Sequence, residues 1–178
     1  KAAPAGMPLD ETCHFVSQMA EGLTFAHQHG IIHRDFKPSN VLLDLEGNAY
    51  LADFGIARVA ESTVQLTGSG IVGTPAYMAP EMAESGGVTH RVDIYALGVT
   101  LYQMLTGQHP FNADTPMGLL MAHLSKPVPD VLLARPDLPA GVQAVITQAM
   151  AKAPAERFAQ AADLASALER ACAIAPTS

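Results

Sequence analysis

The chain has 178 residues, of which 49% are hydrophobic and 15% are charged. This composition can bury a core and is too apolar for intrinsic disorder, so the length allows one domain or one lobe of a larger enzyme. A net charge of −7 offers no basic surface for a nucleic acid or an anionic bilayer. No apolar run approaches the roughly 20 residues that a membrane-spanning helix needs. We therefore expect a folded unit with no nucleic acid partner and no membrane contact from this segment.

The only cysteines, Cys13 and Cys172, lie nearly a chain length apart. This separation indicates neither a disulfide framework nor a paired metal site. A reducing, cytoplasmic compartment is the simplest expectation, although the parent protein could be anchored to a membrane outside this segment.

The first predicted element is an amphipathic helix over residues 9–30. Its apolar residues recur at spacings of three and four, carboxylates occupy its first turn, and Gly30 is placed to end it. Two short strands follow at residues 41–43 and 49–51, and the polar residues between them predict a turn. Residues 54–80 show no helical or strand periodicity, which is typical of a functional loop.

The second half of the chain is predicted to be helical. Residues 91–106 are apolar nearly all round and precede Gly107, which indicates a helix buried on every side. Prolines then separate shorter candidate helices at residues 117–124, 142–150 and 160–173. The predicted fold class is mainly α, with a short β-hairpin.

Three short motifs carry the chemistry. Residues 33–40 read HRDFKPSN, residues 53–55 read DFG beginning 13 residues after Asn40, and residues 79–81 read APE. Their order and spacing resemble the catalytic loop, the metal-binding motif and the end of the activation segment of eukaryotic-type serine/threonine protein kinases of the kind found in bacteria. The resemblance extends over residues 9–173.

The resemblance implies an α+β fold: the C-terminal lobe (C-lobe) of a kinase catalytic domain. This lobe is a helical bundle around a buried αF-like helix, and no N-terminal lobe is present in the chain. The implied organisation is an inter-lobe linker remnant (1–8), an αE-like helix (9–30), a catalytic loop with the metal-binding strand pair (31–53), an activation segment (53–81) and a helical subdomain (91–173).

The implied reaction is transfer of the γ-phosphoryl group of Mg-ATP to Ser or Thr hydroxyls of protein substrates. In this family Asp35 orients the substrate hydroxyl and accepts its proton, and Lys37 contacts the γ-phosphate. Lys37 together with Thr74 resembles the serine/threonine branch of the family.

The resemblance assigns the cofactor contacts to three further residues. Asn40 and Asp53 would supply hard oxygen ligands to Mg²⁺, or to Mn²⁺ in its place. Leu42 would form the apolar floor beneath the adenine ring of ATP.

Five other residues are assigned structural roles by the resemblance. His33 would pack under Phe54, and Asp93 would accept hydrogen bonds from backbone N–H groups of the catalytic loop. Glu81 and Arg157 would form a buried ion pair; the alternative is that Arg157 is a solvated charge before Phe158.

A regulatory role is implied for Arg34, the residue before Asp35. In relatives with this arginine, a phosphate on the activation loop pairs with it and orders the loop. Thr67 and Ser69 are the preferred acceptors, and self-association through the activation segment is a further expectation.

Two alternatives remain at this point. His27, His29 and His33 lie within seven residues and could be read as metal ligands. The chain could also serve as a pseudokinase or docking module, because in the family the substrate-facing surface lies on this lobe and needs no ATP. These residues contain no Gly-rich phosphate loop, no strand lysine in a VAIK-like setting and no partner glutamate, so we expect them to be inactive alone.

Overall fold

The computed structural model describes residues 6–54, 75–83 and 87–173. Its regular elements are the helices α1 (Leu9–Gln28), α2 (Arg91–Thr106), α3 (Pro116–Ser125), α4 (Val131–Ala134), α5 (Ala140–Ala149) and α6 (Ala161–Ala173), and the strands β1 (Val41–Leu43) and β2 (Ala49–Leu51). Single 3₁₀ turns occur at Pro38–Asn40, Pro75–Tyr77, Pro80–Ala83 and Pro154–Glu156. The described part is therefore mostly helical with one small sheet, as the sequence predicts.

Helix α1 follows the predicted amphipathic pattern. Val16, Ala20 and Leu23 are fully buried along one face, against helices α2 and α6. The helix ends where Gly30 takes a φ of 73°, a conformation that glycine adopts without steric cost. The prediction for this helix is confirmed, with its last turn ending two residues before Gly30.

Strands β1 and β2 form an antiparallel hairpin with the predicted bounds, in which Leu42 lies opposite Tyr50. The Asp44 carboxylate closes the turn by accepting hydrogen bonds from the backbone and the side-chain amide of Asn48. The Gln18 side chain on α1 accepts a hydrogen bond from the Ala49 backbone N–H at 2.7 Å. This hydrogen bond therefore fixes the position of the hairpin along helix α1.

Helix α2 is the centre of the core, and its neighbours are α1, α4, α5 and α6. Almost every side chain from Val92 to Leu105 is buried, as the sequence predicts. Gly98 allows α5 to approach closely, because a Cβ built at Gly98 would lie 2.7 Å from the Ala149 Cβ.

The remaining helices differ from the predictions by one or two residues at their ends. Helix α4 was not predicted, because four residues between prolines carry too little periodicity to indicate a helix. It forms because Asp130 caps it, accepting a hydrogen bond from the Leu132 backbone N–H at 2.9 Å. Among the described helices, none combines the length and the apolarity needed to cross a membrane.

Candidate active site

The loop over residues 33–40 is anchored to the buried helix α2 through Asp93. The Asp93 carboxylate, 1% exposed, accepts hydrogen bonds from the backbone N–H groups of His33 and Arg34, both at 2.8 Å. Its Oδ2 atom also lies 2.8 Å from Nε2 of His27 on α1. A buried carboxylate is costly unless several donors satisfy it, and these three contacts meet that need. Two helices thus hold the start of the loop.

Two residues of the motifs adopt an unusual backbone conformation. Arg34 has a φ of 65° and Asp53 a φ of 53°, and among the described residues they are the only non-glycine positions with positive φ. Such a conformation costs energy for a residue with a Cβ and persists where surrounding contacts impose it. The hydrogen bond from the Arg34 N–H to Asp93 is one such contact.

Asp35, Lys37 and Asn40 form one hydrogen-bonded set. The Lys37 ammonium lies 3.0 Å from Oδ2 of Asp35. The Asn40 side-chain amide donates to the Asp35 backbone carbonyl at 2.8 Å. The backbone carbonyl of Asn40 accepts a hydrogen bond from the Ala52 N–H at 2.9 Å. The loop is therefore tied both to itself and to the end of strand β2, one residue before Asp53.

The buried ring of His33 contacts both the HRDFKPSN motif and Phe54 of the DFG motif. Its ring is fully buried, lies 4.7 Å from the Phe54 ring and meets the Phe36 ring edge-on at 5.9 Å. Nδ1 lies 3.4 Å from the Asp35 backbone N–H, and Nε2 lies 3.0 Å from the Ala52 carbonyl. With a backbone N–H at one nitrogen and a carbonyl oxygen at the other, the ring accepts at Nδ1 and donates at Nε2.

The donor chemistry at Asn40 and Asp53 fits a hard divalent cation. Because the Asn40 amide nitrogen donates to Asp35, its Oδ1 atom remains an acceptor. The Asp53 side chain is exposed and supplies a carboxylate. An amide oxygen and a carboxylate are the few oxygen ligands that Mg²⁺ requires from a protein when it keeps several waters.

The histidines at positions 27, 29 and 33 do not converge. His27 contacts Asp93, His29 contacts the Phe25 carbonyl and His33 contacts the Ala52 carbonyl. Within residues 6–54, 75–83 and 87–173 no group of three or more His, Cys, Asp or Glu side chains could hold a metal ion. The reading of these histidines as a metal site is therefore wrong.

The hairpin presents an apolar face beside this site. Leu42 is 59% exposed, and Tyr50, directly opposite it on the neighbouring strand, is 56% exposed. Directly opposed residues of an antiparallel pair share one face of the sheet. The predicted adenine-floor residue is therefore on an accessible apolar surface.

The ion pair between Glu81 and Arg157 is present and buried. Both terminal nitrogens of the Arg157 guanidinium donate to the Glu81 carboxylate, at 2.6 and 2.7 Å. The same guanidinium donates to the backbone carbonyls of Arg91, Ala151 and Lys152. All five N–H groups of the guanidinium are thus satisfied, and the reading of Arg157 as a solvated charge is wrong.

Sequence reasoning missed a second buried polar cluster, which lies behind the Pro75–Tyr77 turn. The Tyr95 hydroxyl lies 2.8 Å from Nδ1 of His123, and the Lys152 ammonium donates to the His123 backbone carbonyl at 2.7 Å. Burial, helped by the charge of Lys152, lowers the pKa of His123 to about 4. Burial and the nearby Arg157 lower the pKa of Lys152 to about 8. No sequence motif marks these residues, because they meet only through tertiary packing.

Three predicted residues, Thr67, Ser69 and Thr74, lie outside the described residues, as does Gly55 of the DFG motif. The site residues that the structure does describe fall into two groups. His33, Arg34, Asp35, Lys37, Asn40 and Asp53 lie around one loop and the adjoining strand end, and Glu81 with Arg157 forms a separate support.

Bacterial serine/threonine-protein kinases are similar to this chain. PknH of Mycobacterium bovis is 45% identical over 157 residues, covering 88% of this chain and 26% of PknH. PknD of Mycobacterium tuberculosis is 49% identical over 152 residues, covering 84% and 23% respectively. PrkC of Bacillus subtilis is 36% identical over 154 residues, covering 86% and 24%. The chain spans about a quarter of the length of these curated relatives.

The family model described as "Protein kinase domain" matches residues 4–168. The match includes all three motifs, the Asp93 anchor and the Glu81–Arg157 pair, and it covers most of the chain. The protein therefore belongs to the protein kinase domain family.

Proposed function

We propose that the protein containing this chain is a serine/threonine kinase that transfers the γ-phosphoryl group of Mg-ATP to Ser or Thr hydroxyls of other proteins. The observation that carries this proposal is the hydrogen-bonded set of Asp35, Lys37 and Asn40 beside Asp53. Phosphoryl transfer needs positioned reactants and neutralised phosphate charge more than covalent chemistry. In this set Asp35 would position the substrate hydroxyl, and Lys37 would supply positive charge to the phosphate.

Each member of the set has a distinct role in the proposed reaction. The Asp35 carboxylate orients the substrate hydroxyl and receives its proton. Lys37, 3.0 Å from that carboxylate, places a positive charge where the γ-phosphate would lie. The contact between Asn40 and the Asp35 carbonyl keeps the base at a fixed distance from the metal ligands.

Asn40 and Asp53 would hold Mg²⁺, or Mn²⁺ in its place, and Leu42 would contact the adenine ring. When bound, the metal ion would supply positive charge that neutralises the phosphates of ATP. Asp53 is brought to the loop because Ala52 is hydrogen-bonded to both His33 and Asn40. The exposed apolar face of Leu42 supports its proposed contact with a flat aromatic base.

We further propose that the chain corresponds to the C-lobe of the catalytic domain, with the buried helix α2 in the αF position. The boundaries proposed above for linker, αE-like helix, catalytic loop, activation segment and helical subdomain follow from this assignment. Because these residues include no Gly-rich loop and no VAIK-like lysine, we expect them to be inactive without the rest of the protein.

Regulation is proposed through Arg34. Its backbone is held in the left-handed region beside Asp35. An anion bound by its side chain would therefore act directly on the conformation of the proposed catalytic loop. Thr67 and Ser69 are the proposed acceptors of an activating phosphate. Replacing both by Ala should lower activity, and Arg34→Gln should have no additional effect in that background.

The proposal is tested with the full-length protein, Mg-ATP and a generic Ser/Thr substrate such as myelin basic protein. Asp35→Asn should lower kcat by about 10²- to 10⁴-fold, the contribution typical of a general base. The KM for ATP should change little, because Asn keeps the size of the side chain. The matched control is Asp114→Asn, which makes the same chemical change at an exposed position outside the three motifs.

Equal activity in Asp35→Asn and Asp114→Asn would contradict the proposed catalysis. Binding of partner proteins by an inactive wild-type protein, unaffected by Asp53→Ala, would instead favour the docking-module alternative.

A further inference from the structure

The two cysteines, remote in sequence, meet in the folded protein. Cys13 on α1 and Cys172 on the last turn of α6 have their sulfur atoms 2.8 Å apart. Both are free thiols and both are half-buried. Helices α1 and α6 pack along each other, so the contact belongs to the core of the fold rather than to a loose end.

The geometry is close to that of a disulfide. A disulfide bond is about 2.05 Å long, so the sulfurs would need to approach by about 0.75 Å from their present 2.8 Å separation. Both side chains emerge from helices that are already packed against each other. Partial exposure leaves the pair accessible to a small oxidant.

The surroundings of Cys13 disfavour its thiolate. Burial, the hydrogen bond with Cys172 and the negative charges of Glu169 and Asp10 raise the pKa of Cys13 to about 12. Because the thiolate is the nucleophile in thiol chemistry, reaction of Cys13 itself with an oxidant should be slow at neutral pH.

We propose that Cys13 and Cys172 form a reversible intramolecular disulfide that joins helix α1 to helix α6 when the protein meets a low-molecular-weight disulfide such as oxidised glutathione. One of the two cysteines, as its thiolate, attacks one sulfur of the oxidant, a mixed disulfide forms and one glutathione thiolate leaves. This thiolate takes the proton of the other cysteine, whose sulfur then attacks the sulfur of the mixed disulfide that belongs to the protein and expels the second glutathione. Two electrons and two protons pass from the protein to the oxidant, which leaves as two thiols.

The bond would connect the two ends of the described fold. Helix α1 also carries His27, which contacts the Asp93 anchor of loop 33–40, so the cross-link fixes the helix from which part of the active site is supported. Helix α6 contains Cys172 one residue before its end, and the bond would prevent this last turn from separating from α1.

The test uses the full-length protein, oxidised glutathione as the probe, N-ethylmaleimide to trap free thiols and tryptic mass spectrometry without reduction. Trypsin cleaves after Arg34 and Arg170, so the peptide that ends at Arg34 should be joined to the peptide that begins at Ala171. The joined species should lack two hydrogens, most of the N-ethylmaleimide label should be lost from both cysteines, and dithiothreitol should restore it.

The single variants test whether both cysteines are required. Neither Cys13→Ala nor Cys172→Ala should give the joined peptide after the same oxidation. Two results would overturn the proposal: full N-ethylmaleimide labelling of both cysteines after oxidation, or a joined peptide found only in a dimer band on a non-reducing gel.

Discussion

Breaking the buried ion pair between Arg157 and Glu81 should destabilise the protein strongly. Replacing Arg157 should lower the free energy of unfolding more than replacing Glu81. The Arg157 side chain is 0% exposed, while that of Glu81 is 13% exposed. Arg157 makes two hydrogen bonds to Glu81 and three to backbone carbonyls. Replacing Arg157 removes five bonds, whereas replacing Glu81 disturbs two.

The magnitudes follow from this inequality. Arg157→Ala leaves a mostly buried carboxylate and three carbonyls without their donor, and loss of one partner of a buried pair costs about 3 to 5 kcal/mol. The guanidinium also lies 4.9 Å from the centre of the Tyr95 ring, so packing is lost as well. Glu81→Gln keeps the three carbonyl bonds to Arg157, so we expect a smaller loss of about 1 to 3 kcal/mol.

Urea unfolding followed by far-ultraviolet circular dichroism measures these changes, since the chain contains no tryptophan for fluorescence. Arg170→Ala is the matched control, because Arg170 is exposed on α6 and should change the free energy of unfolding by no more than about 0.5 kcal/mol. The double variant Arg157→Ala with Glu81→Gln should show a coupling energy of about 0.5 to 3 kcal/mol.

The reasoning would be refuted if Arg157→Ala matched Arg170→Ala within error. It would also be refuted if Glu81→Gln cost more than Arg157→Ala, because the three carbonyl bonds would then contribute nothing.

Three further predictions address the core and the anchor of the loop over residues 33–40. As pH falls from 6.5 to about 4, the unfolded chain gains a proton that folded His123 excludes; stability should therefore fall by about 3 kcal/mol, and by clearly less in His123→Asn. Gly98→Ala should cost about 1 to 3 kcal/mol through its clash with Ala149, and an unchanged Tm would contradict this. His27→Ala should cost about 1.5 to 3 kcal/mol in urea unfolding by removing a hydrogen bond to the Asp93 carboxylate, and a loss below about 0.5 kcal/mol would contradict it.

The elements that the sequence predicts well are those with local signals. The hairpin bounds are confirmed. They were predictable because the turn is closed by Asp44 and Asn48, which lie within five residues of each other. The bounds of α2 are confirmed because its hydrophobic run is long and Gly107, with a φ of 71°, ends it. In both cases the residues that decide the structure are neighbours in the chain.

Features that depend on distant residues were not predictable from the pattern alone. The separation of Cys13 and Cys172 argued against pairing, yet the packing of α1 on α6 brings their sulfurs into contact. Likewise, His123 lies in a helix with an apolar face, and nothing in its local sequence indicates Tyr95 as a partner. The motif residues were identified only because their combination resembles a known family, not because their spacing revealed a three-dimensional site.

The strained backbone of residues 33–54 depends on contacts from the surrounding fold. Arg34 and Asp53 both hold positive φ angles, and each such conformation costs on the order of 1 to 3 kcal/mol. At Arg34, the cost is offset by hydrogen bonds from the backbone N–H groups of His33 and Arg34 to the Asp93 carboxylate, which is buried in α2. At Asp53, it is offset by the contact of His33 with the neighbouring Ala52 carbonyl. A loop of this conformation would not persist as an isolated peptide. The conformation of residues 33–40 is therefore a property of the helical core, because the buried Asp93 carboxylate fixes the backbone of His33 and Arg34.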